Sequence, residues 1–309
     1  MQQTDVKRLF IVLGMHRSGT SALTRALKVF DIELGNNHIP TEPGVNAKGF
    51  WEDRDIYTLN VEMLRALAIR WDHTTPIRPS DIQYLCLKPF FQRAQALLAA
   101  RMGRYERFGI KDPRLSRLLP FWQHVFVSLD IQPHYLIALR HPASVAQSLA
   151  VRNHFRKEKS LALWLEYTMA ALQHSRDTSR LVVDYDRMMH NPVSELRRIG
   201  QHWNLCLNDT ELHHYSKDFL DQSLRHHQGS DPLRTFMEIG PLYKIFSVLQ
   251  KAAVDQVDLD RADCCAQIDQ WYRQIRPSHT SRARHTLKRW IRAVAINRSV
   301  AGKLAAMQH

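Results

Sequence analysis

Apolar positions along the chain come in short runs separated by longer stretches of helical spacing. Leu9 to Leu13 is a continuous apolar run that stops at Gly14, as expected of a strand buried on both faces. Thr20 to Phe30 follows as a predicted helix, with Leu23, Ala26, Leu27 and Phe30 on one face. Asp31 to Gly49, interrupted by Pro40 and Pro43, reads as loop. Helical periodicity returns over Asp55 to Ile69 and Pro89 to Ala100. Phe108-Gly109-Ile110 reads as a short strand running into Lys111-Asp112-Pro113-Arg114. Pro133 to Leu139 is another buried strand, and Pro142 opens a helix at its favoured first position. Leu161 to Ser175 reads as helix, Arg180 to Tyr185 as strand and Pro192 to Trp203 as helix, while Ser223 to Gly240 reads as a loop or lid. Strands alternating with helices predict an α/β fold of three layers around a mainly parallel central sheet, with a helical C-terminal extension.

Composition narrows the class. The chain has 309 residues, 44% hydrophobic and 24% charged, which excludes a collagen-like, fully disordered or coiled-coil protein. No apolar run near the start approaches the ~20 residues a bilayer requires, and the polar opening Gln2-Gln3-Thr4-Asp5 does not read as a secretory leader. Four cysteines, two adjacent at Cys264-Cys265 and two isolated at Cys86 and Cys206, form neither a disulfide framework nor a metal spacing. The expectation is a cytoplasmic protein with reduced thiols. Net charge is +13, but nine basic residues and no acid fall between Gln270 and His309, leaving +4 for the rest. The predicted organisation is therefore an α/β domain over 1–275 and a basic tail over 276–309.

Gly14-Met15-His16-Arg17-Ser18-Gly19-Thr20-Ser21 sits between a predicted buried strand and a predicted helix. In that context a Gly-rich string presents backbone N–H groups to an anion, and Arg17, Ser18, Gly19, Thr20 and Ser21 are the candidate phosphate-binding residues. The spacing nearly matches the nucleotide P-loop GxxxxGK[ST], but Thr20 stands where the lysine belongs. That mismatch argues against an ordinary ATP or GTP site, although a kinase-like phosphotransferase remains the alternative reading. A nucleotide-binding protein of the same fold without catalysis is a third. A second candidate pair is Arg140, at the end of a predicted strand, and Ser148, two turns into the following helix. A strand-end arginine faces the crevice where open α/β sheets bind ligands.

The string Phe10 to Ser21 resembles the 5′-phosphosulfate loop of sulfotransferases that use 3′-phosphoadenosine-5′-phosphosulfate (PAPS), and arginine at position 17 is similar to the bacterial and protein-tyrosine branches. Leu136 to Ser148 resembles the family's 3′-phosphate motif, an Arg followed eight residues later by a Ser. Arg180 to Pro192 is similar to the family's later strand, in which a tyrosine, here Tyr185, lies near the adenine. The resemblance covers roughly residues 8–205. It implies PAPS as cosubstrate, no metal, and transfer of a sulfuryl group to a hydroxyl or amine of a glycan, lipid, peptide or small molecule.

The resemblance also assigns chemistry. The Lys111-Asp112-Pro113-Arg114 string lacks the histidine base of the steroid and phenol branch and is similar to the protein-tyrosine branch, where the lysine assists the transition state and an upstream glutamate is the base. Glu33, Glu42 and Glu52 are the available glutamates, and Asn46 to Glu52 resembles the N-x-K-G-[YF]-[FW]-E string of bacterial sulfotransferases. Glu52 is the favoured base, Glu42 the next, and a helix-start carboxylate is the plain alternative for Glu52. Lys111 and Arg17 are expected at the transferring group, and Arg114 holds a ligand or pairs with Asp112. Arg225, in Ser223-Leu224-Arg225-His226-His227, is a further 3′-phosphate candidate on a stretch similar to a nucleotide-side lid.

The paired histidines at 213–214 and 226–227 lack the carboxylate or cysteine that would complete a metal set, and read as solvated surface. Arg284 to Ala306 can be written as a basic amphipathic helix carrying Trp290. It would suit the inner face of an anionic membrane, the body of the protein or a partner subunit. No nucleic-acid motif accompanies it. Oligomeric state is open.

Overall fold

The computed structural model describes residues 7–41, 48–220 and 241–275. Glu42, the Ser223–Gly240 loop with Arg225, and the basic tail lie outside the described residues.

The apolar run at the start becomes β1 (Arg8–Leu13). Its Leu9, Ile11 and Leu13 enter one hydrophobic cluster while Phe10 and Val12 enter another, so both faces are covered, which is why the run is continuous rather than alternating. It pairs in parallel with β2 (Arg107–Lys111) on one side and β3 (Gln132–Leu139) on the other, and β3 pairs in parallel with β4 (Arg180–Asp184). Sheet order is β2-β1-β3-β4. The chain leaves β1 for one neighbour and later returns to the other, so the order reverses beside β1. Open α/β sheets bind their ligands at such a reversal, outside the carboxyl ends of the strands.

Helices fill both faces. One cluster contains Phe10 and Val12 with α1 (Thr20–Ala26) and α9 (Pro192–Trp203). The larger cluster contains α2 (Arg54–Ala66), α3 (Pro79–Cys86), α4 (Phe90–Met102), α5 (Leu115–Ser128), α6 (Pro142–Asn153) and α7 (Lys157–His174). α8 (Tyr185–His190) follows β4, and α10 (Asp209–His214) follows α9. Beyond the undescribed loop, α11 (Pro241–Ala252) and α12 (Ala262–Ile275) add to the larger cluster. Ion pairs fasten this C-terminal part, Arg180 to Asp260 at 2.6 Å and Arg176 to Asp269 at 2.8 Å. The expected three-layer α/β architecture with a mainly parallel sheet is present.

Local differences have identifiable causes. The helix expected over Thr20 to Phe30 tightens to a 3₁₀ turn over Leu27–Phe30, and Asp31 closes it in the left-handed region. α3 and α5 are not evident from periodicity; α5 carries Pro120 in its interior, a residue that normally argues against a helix. The strand expected to reach Tyr185 stops at Asp184, whose carboxylate accepts hydrogen bonds from the N–H groups of Asp186 and Arg187 and starts α8. None of the helices among the described residues is long and apolar enough to cross a membrane.

Candidate active site

The loop after β1 is held by short-range geometry that only a few residues tolerate. Gly14 donates its N–H to Ser116 Oγ at 2.9 Å, and at φ +141° a Cβ there would press within 3.0 Å of Ala138. Gly19 adopts φ +84°, and a Cβ there would meet the Tyr185 ring at 2.0 Å. Tyr185 therefore lies directly on the loop, placed by its position at the start of α8. Arg17 is left-handed at φ +71°, an uncommon conformation for a side-chain-bearing residue and of a kind that clusters at functional sites.

This turn sends Arg17 toward α6. Its Nε donates to Ser148 Oγ at 2.8 Å, and its carbonyl accepts from Arg140 Nη1 at 2.9 Å. The Arg140 guanidinium lies 4.8 Å from the centre of the Tyr185 ring, and its Nε is buried without a hydrogen-bond partner. Trp164 Nε1 donates to the Arg140 carbonyl at 3.1 Å and fixes the strand end. Burial, followed by repulsion from Arg152 and Arg140, pushes the Arg17 guanidinium down to about 10; Tyr185 opposes this weakly. At neutral pH Arg17 stays charged, and the guanidinium groups gathered around it are of one sign. Such a cluster has the charge and the planar donors that suit an anion. Arg17, the Arg140–Ser148 pair and Tyr185, from three separate segments, thus meet at the loop containing Ser18, Gly19, Thr20 and Ser21.

On the other flank Lys111, at the end of β2, is 2% exposed and Glu52 4%. Lys111 Nζ donates to Glu52 Oε1 at 2.8 Å and to the Phe50 carbonyl at 2.6 Å. Ser21 Oγ donates to the same carbonyl at 3.1 Å, linking loop and lysine. Trp51 stands at φ +56°, which turns the chain so that the Phe50 carbonyl and the Glu52 carboxylate both reach Lys111. Burial raises the Glu52 carboxyl above its ordinary range, with Lys111 pulling it back. The helix-start role falls instead to Asp53, which caps α2 by accepting from the N–H groups of Asp55 and Ile56. The Trp51 ring packs with His38 and Phe219.

Arg114 pairs with Asp112 at 2.8 Å, and its Nη1 lies 3.9 Å from Glu52 Oε2. Burial would lower the Arg114 guanidinium, but Asp112 and Glu52 more than offset it and raise it. Asp112 is held further by Asn60, itself bonded to Trp122. Glu33 is exposed and bonds through its backbone to Arg107 and Gly109 at the sheet edge. His213 and His214 are exposed, and no cluster of three or more His, Cys, Asp or Glu is present among the described residues.

Sequence reasoning missed three participants. Arg152 lies one helical turn beyond Ser148, a spacing that puts both on one face of α6. Ser116 and the Phe50 carbonyl carry no sequence signal, because a lone serine 102 residues from Gly14 and a main-chain carbonyl leave no local pattern.

A parallel sheet with a glycine-rich loop at its carboxyl edge, lined by arginines and flanked by a buried lysine–carboxylate couple, is an α/β architecture with a polar site at the strand ends. The family model described as the sulfotransferase family matches residues 9–209, and the chain belongs to that family. The chain is similar to the sulfotransferase domain from the Synechococcus PCC 7002 olefin synthase, at 16% identity over 91% of this chain and 98% of that one, with a TM-score of 0.40. It is also similar to retinol dehydratase in complex with androsterone and inactive cofactor PAP, at 15% identity over 88% and 81%, with a TM-score of 0.37. No curated protein sequence matches the chain.

Proposed function

We propose that this sulfotransferase moves a sulfuryl group from PAPS to a hydroxyl, or an amine, of a glycan, lipid, peptide or small-molecule acceptor. The observation that carries the reading is the convergence of Arg17, Arg140 and Ser148 on one loop, with Tyr185 packed on it and Arg140 Nε left unpartnered. A 5′-phosphosulfate and a 3′-phosphate together need cations at two places on one nucleotide. Arg17 with the N–H groups of Ser18 to Ser21 suits the first, and Arg140 with Ser148 the second.

The chemistry is an in-line displacement at sulfur. The acceptor oxygen forms the new O–S bond while the S–O bond to the nucleotide phosphate breaks, and 3′,5′-ADP leaves with the electron pair. Arg17 neutralises charge growing on the leaving phosphate, Lys111 steadies the sulfuryl oxygens, and Glu52 takes the acceptor proton. Burial supports the last role, because it makes the carboxylate more basic than an exposed one. Arg225 would add to the 3′-phosphate side. No protein metal enters the scheme. The basic tail would place the enzyme, in the cytoplasm, against an acidic partner or the inner face of a membrane.

The test is thermal unfolding with 3′,5′-ADP, ADP and ATP. A ligand at 100 times its Kd stabilises the native state by about 2.7 kcal/mol. 3′,5′-ADP should raise Tm well above the effect of ADP or ATP, and Arg140→Ala should abolish the difference. Equal response to all three nucleotides refutes the donor assignment, and a preference for ATP restores the phosphotransferase alternative.

A further inference from the structure

Beside the glycine-rich loop lies a second cluster that the scheme above does not use. Arg17 reaches Ser148, whereas the His16 ring packs 4.5 Å from the ring centre of Trp71. One helical turn past Ser148, the Arg152 guanidinium lies 5.6 Å from the centre of a Trp71 ring. Arg17, Ser148, Arg152, Trp71 and His16 therefore close into one circuit between the loop and α6. Two local devices build the wall. α6 ends at His154, left-handed at φ +53°, and the chain folds back so that Phe155 stacks on Trp71 with ring centres 5.7 Å apart. Tyr167 of α7 donates from its hydroxyl to the Trp71 carbonyl at 2.8 Å.

The charge on this wall is of one sign. Lys159 Nζ lies 3.8 Å from the centre of the Phe155 ring and 2.6 Å from Asp72 Oδ2, and Arg70 takes the other Asp72 oxygen at 3.0 Å. That carboxylate is thus already shared between two cations. Arg152 to Lys159 carries four basic residues and one acid. Arg152 Nε donates to a neutral oxygen, Asn153 Oδ1, at 2.7 Å. Trp71, Arg152, Phe155 and Lys159 are all half-buried. A guanidinium stacked by its face on a ring bonds through its planar edge, a fork that matches a carboxylate. Aromatic faces hold both cations in place, so an incoming anion does not have to immobilise them.

We propose that this wall is an acceptor subsite and that the acceptor is a small ring compound carrying a carboxylate besides its hydroxyl, with Arg152 binding the carboxylate and Lys159 beside it. This rests on the reading of the site as a sulfuryl-transfer centre. The Lys111–Glu52 couple meets the loop at its Ser21 end, through the Phe50 carbonyl, and the wall meets the same loop at His16. An acceptor lying along the loop then has its hydroxyl at Glu52 and its carboxylate at Arg152. Arg152 takes no part in bond making. It decides which acceptor binds and fixes the angle at which the hydroxyl meets the sulfur. A phenolic acid and a uronic acid both present this chemistry.

The experiment uses the full chain, PAPS as donor, and two pairs of acceptors matched except for the carboxylate: 4-hydroxyphenylacetate with 4-hydroxyphenylacetamide, and methyl β-D-glucuronide with methyl β-D-glucoside. Formation of 3′,5′-ADP is the readout. In at least one pair the carboxylate should show a kcat/KM at least tenfold above its neutral partner, and the pair that does so separates a phenolic from a saccharide acceptor. Arg152→Gln should lower kcat/KM for that carboxylate about 10- to 150-fold, the range for losing a charge-assisted hydrogen bond. The loss should fall mainly on KM and bring the ratio within the pair to within twofold of one. Arg152→Lys, which keeps the charge without the fork, should fall between. Lys159→Gln should reduce the ratio at least threefold, and it carries the test if Arg152→Gln does not fold. Equal losses for both members of a pair in Arg152→Gln overturn the proposal, because they put Arg152 on the donor. A wild type whose Tm does not respond to 3′,5′-ADP refutes the donor reading. A wild type that responds, yet prefers neither carboxylate or turns over none of the four compounds, refutes the acceptor proposal alone.

Discussion

Replacing Lys111 by methionine should expose the energetics of the buried couple. Lys111 and Glu52 are almost fully buried and 2.8 Å apart, and the next cation, Arg114, stands 3.9 Å from the other carboxylate oxygen. Removing one partner of a buried pair leaves a charge with neither water nor counterion, typically at a cost of about 3–5 kcal/mol. Arg114 already shares its charge with Asp112, so it compensates only in part, and the lower half of that range applies. The pH dependence has a definite sign. Burial raises the Glu52 carboxyl even beside Lys111, and without Lys111 it rises further. The folded variant then binds a proton that the unfolded chain has released. Its stability is greatest at acid pH and falls as pH rises through the folded-state value. Glu52→Gln in the same chain removes the stranded charge, so the double variant should regain most of the loss at pH 8. Urea unfolding of wild type, Lys111→Met, Glu52→Gln and the double variant at pH 5 and pH 8 gives the coupling energy directly. Additive single effects below about 1 kcal/mol, the size of an exposed surface pair, independent of pH, would refute the reasoning.

Other consequences are equally direct. Gly19→Ala forces a Cβ into the Tyr185 ring and holds a side chain at φ +84°, so it should at least halve the Tm rise given by 3′,5′-ADP in a thermal-shift titration. Arg17→Lys keeps the charge but not the planar fork that holds Ser148; PAPS turnover should fall more than tenfold with a native circular-dichroism spectrum. Burial pushes the Asp184 carboxyl up to about 6. Its folded value lies above its unfolded one, so it favours folding at low pH and loses about 2–3 kcal/mol of that contribution as pH rises from 4 to 6. Asp184→Asn should remove this difference, becoming relatively more stable than wild type at pH 7 in denaturant titrations.

What could be read from the sequence follows the range of the interactions involved. β1, β3 and α9 were legible because burial on one or two faces leaves a periodic trace within a dozen residues, as at Leu9–Leu13 and Pro192–Trp203. The loop from Gly14 to Ser21 was legible because its glycines answer local backbone demands, and Arg140 with Ser148 because strand end and helix turn are neighbours in the chain. α5 was not, because Pro120 contradicts the local rule and packing overrides it. The relation of Glu52 to Lys111 was not either: it spans 59 residues and depends on a left-handed Trp51 that no spacing announces. His16 is the sharpest case. In the sequence it is a loop residue beside a more conspicuous arginine. Only the fold gathers Trp71 and Tyr167 around its ring and leaves Nε2 without a partner. The fold also changes the meaning of the net charge of +13. The cations proposed to meet a small, densely anionic donor are the few that β1, β2, β3 and α6 bring to the carboxyl ends of the strands. Held half-buried near one another, Arg17, Arg140 and Arg152 each raise the cost of the next charge, a cost that an anion would relieve.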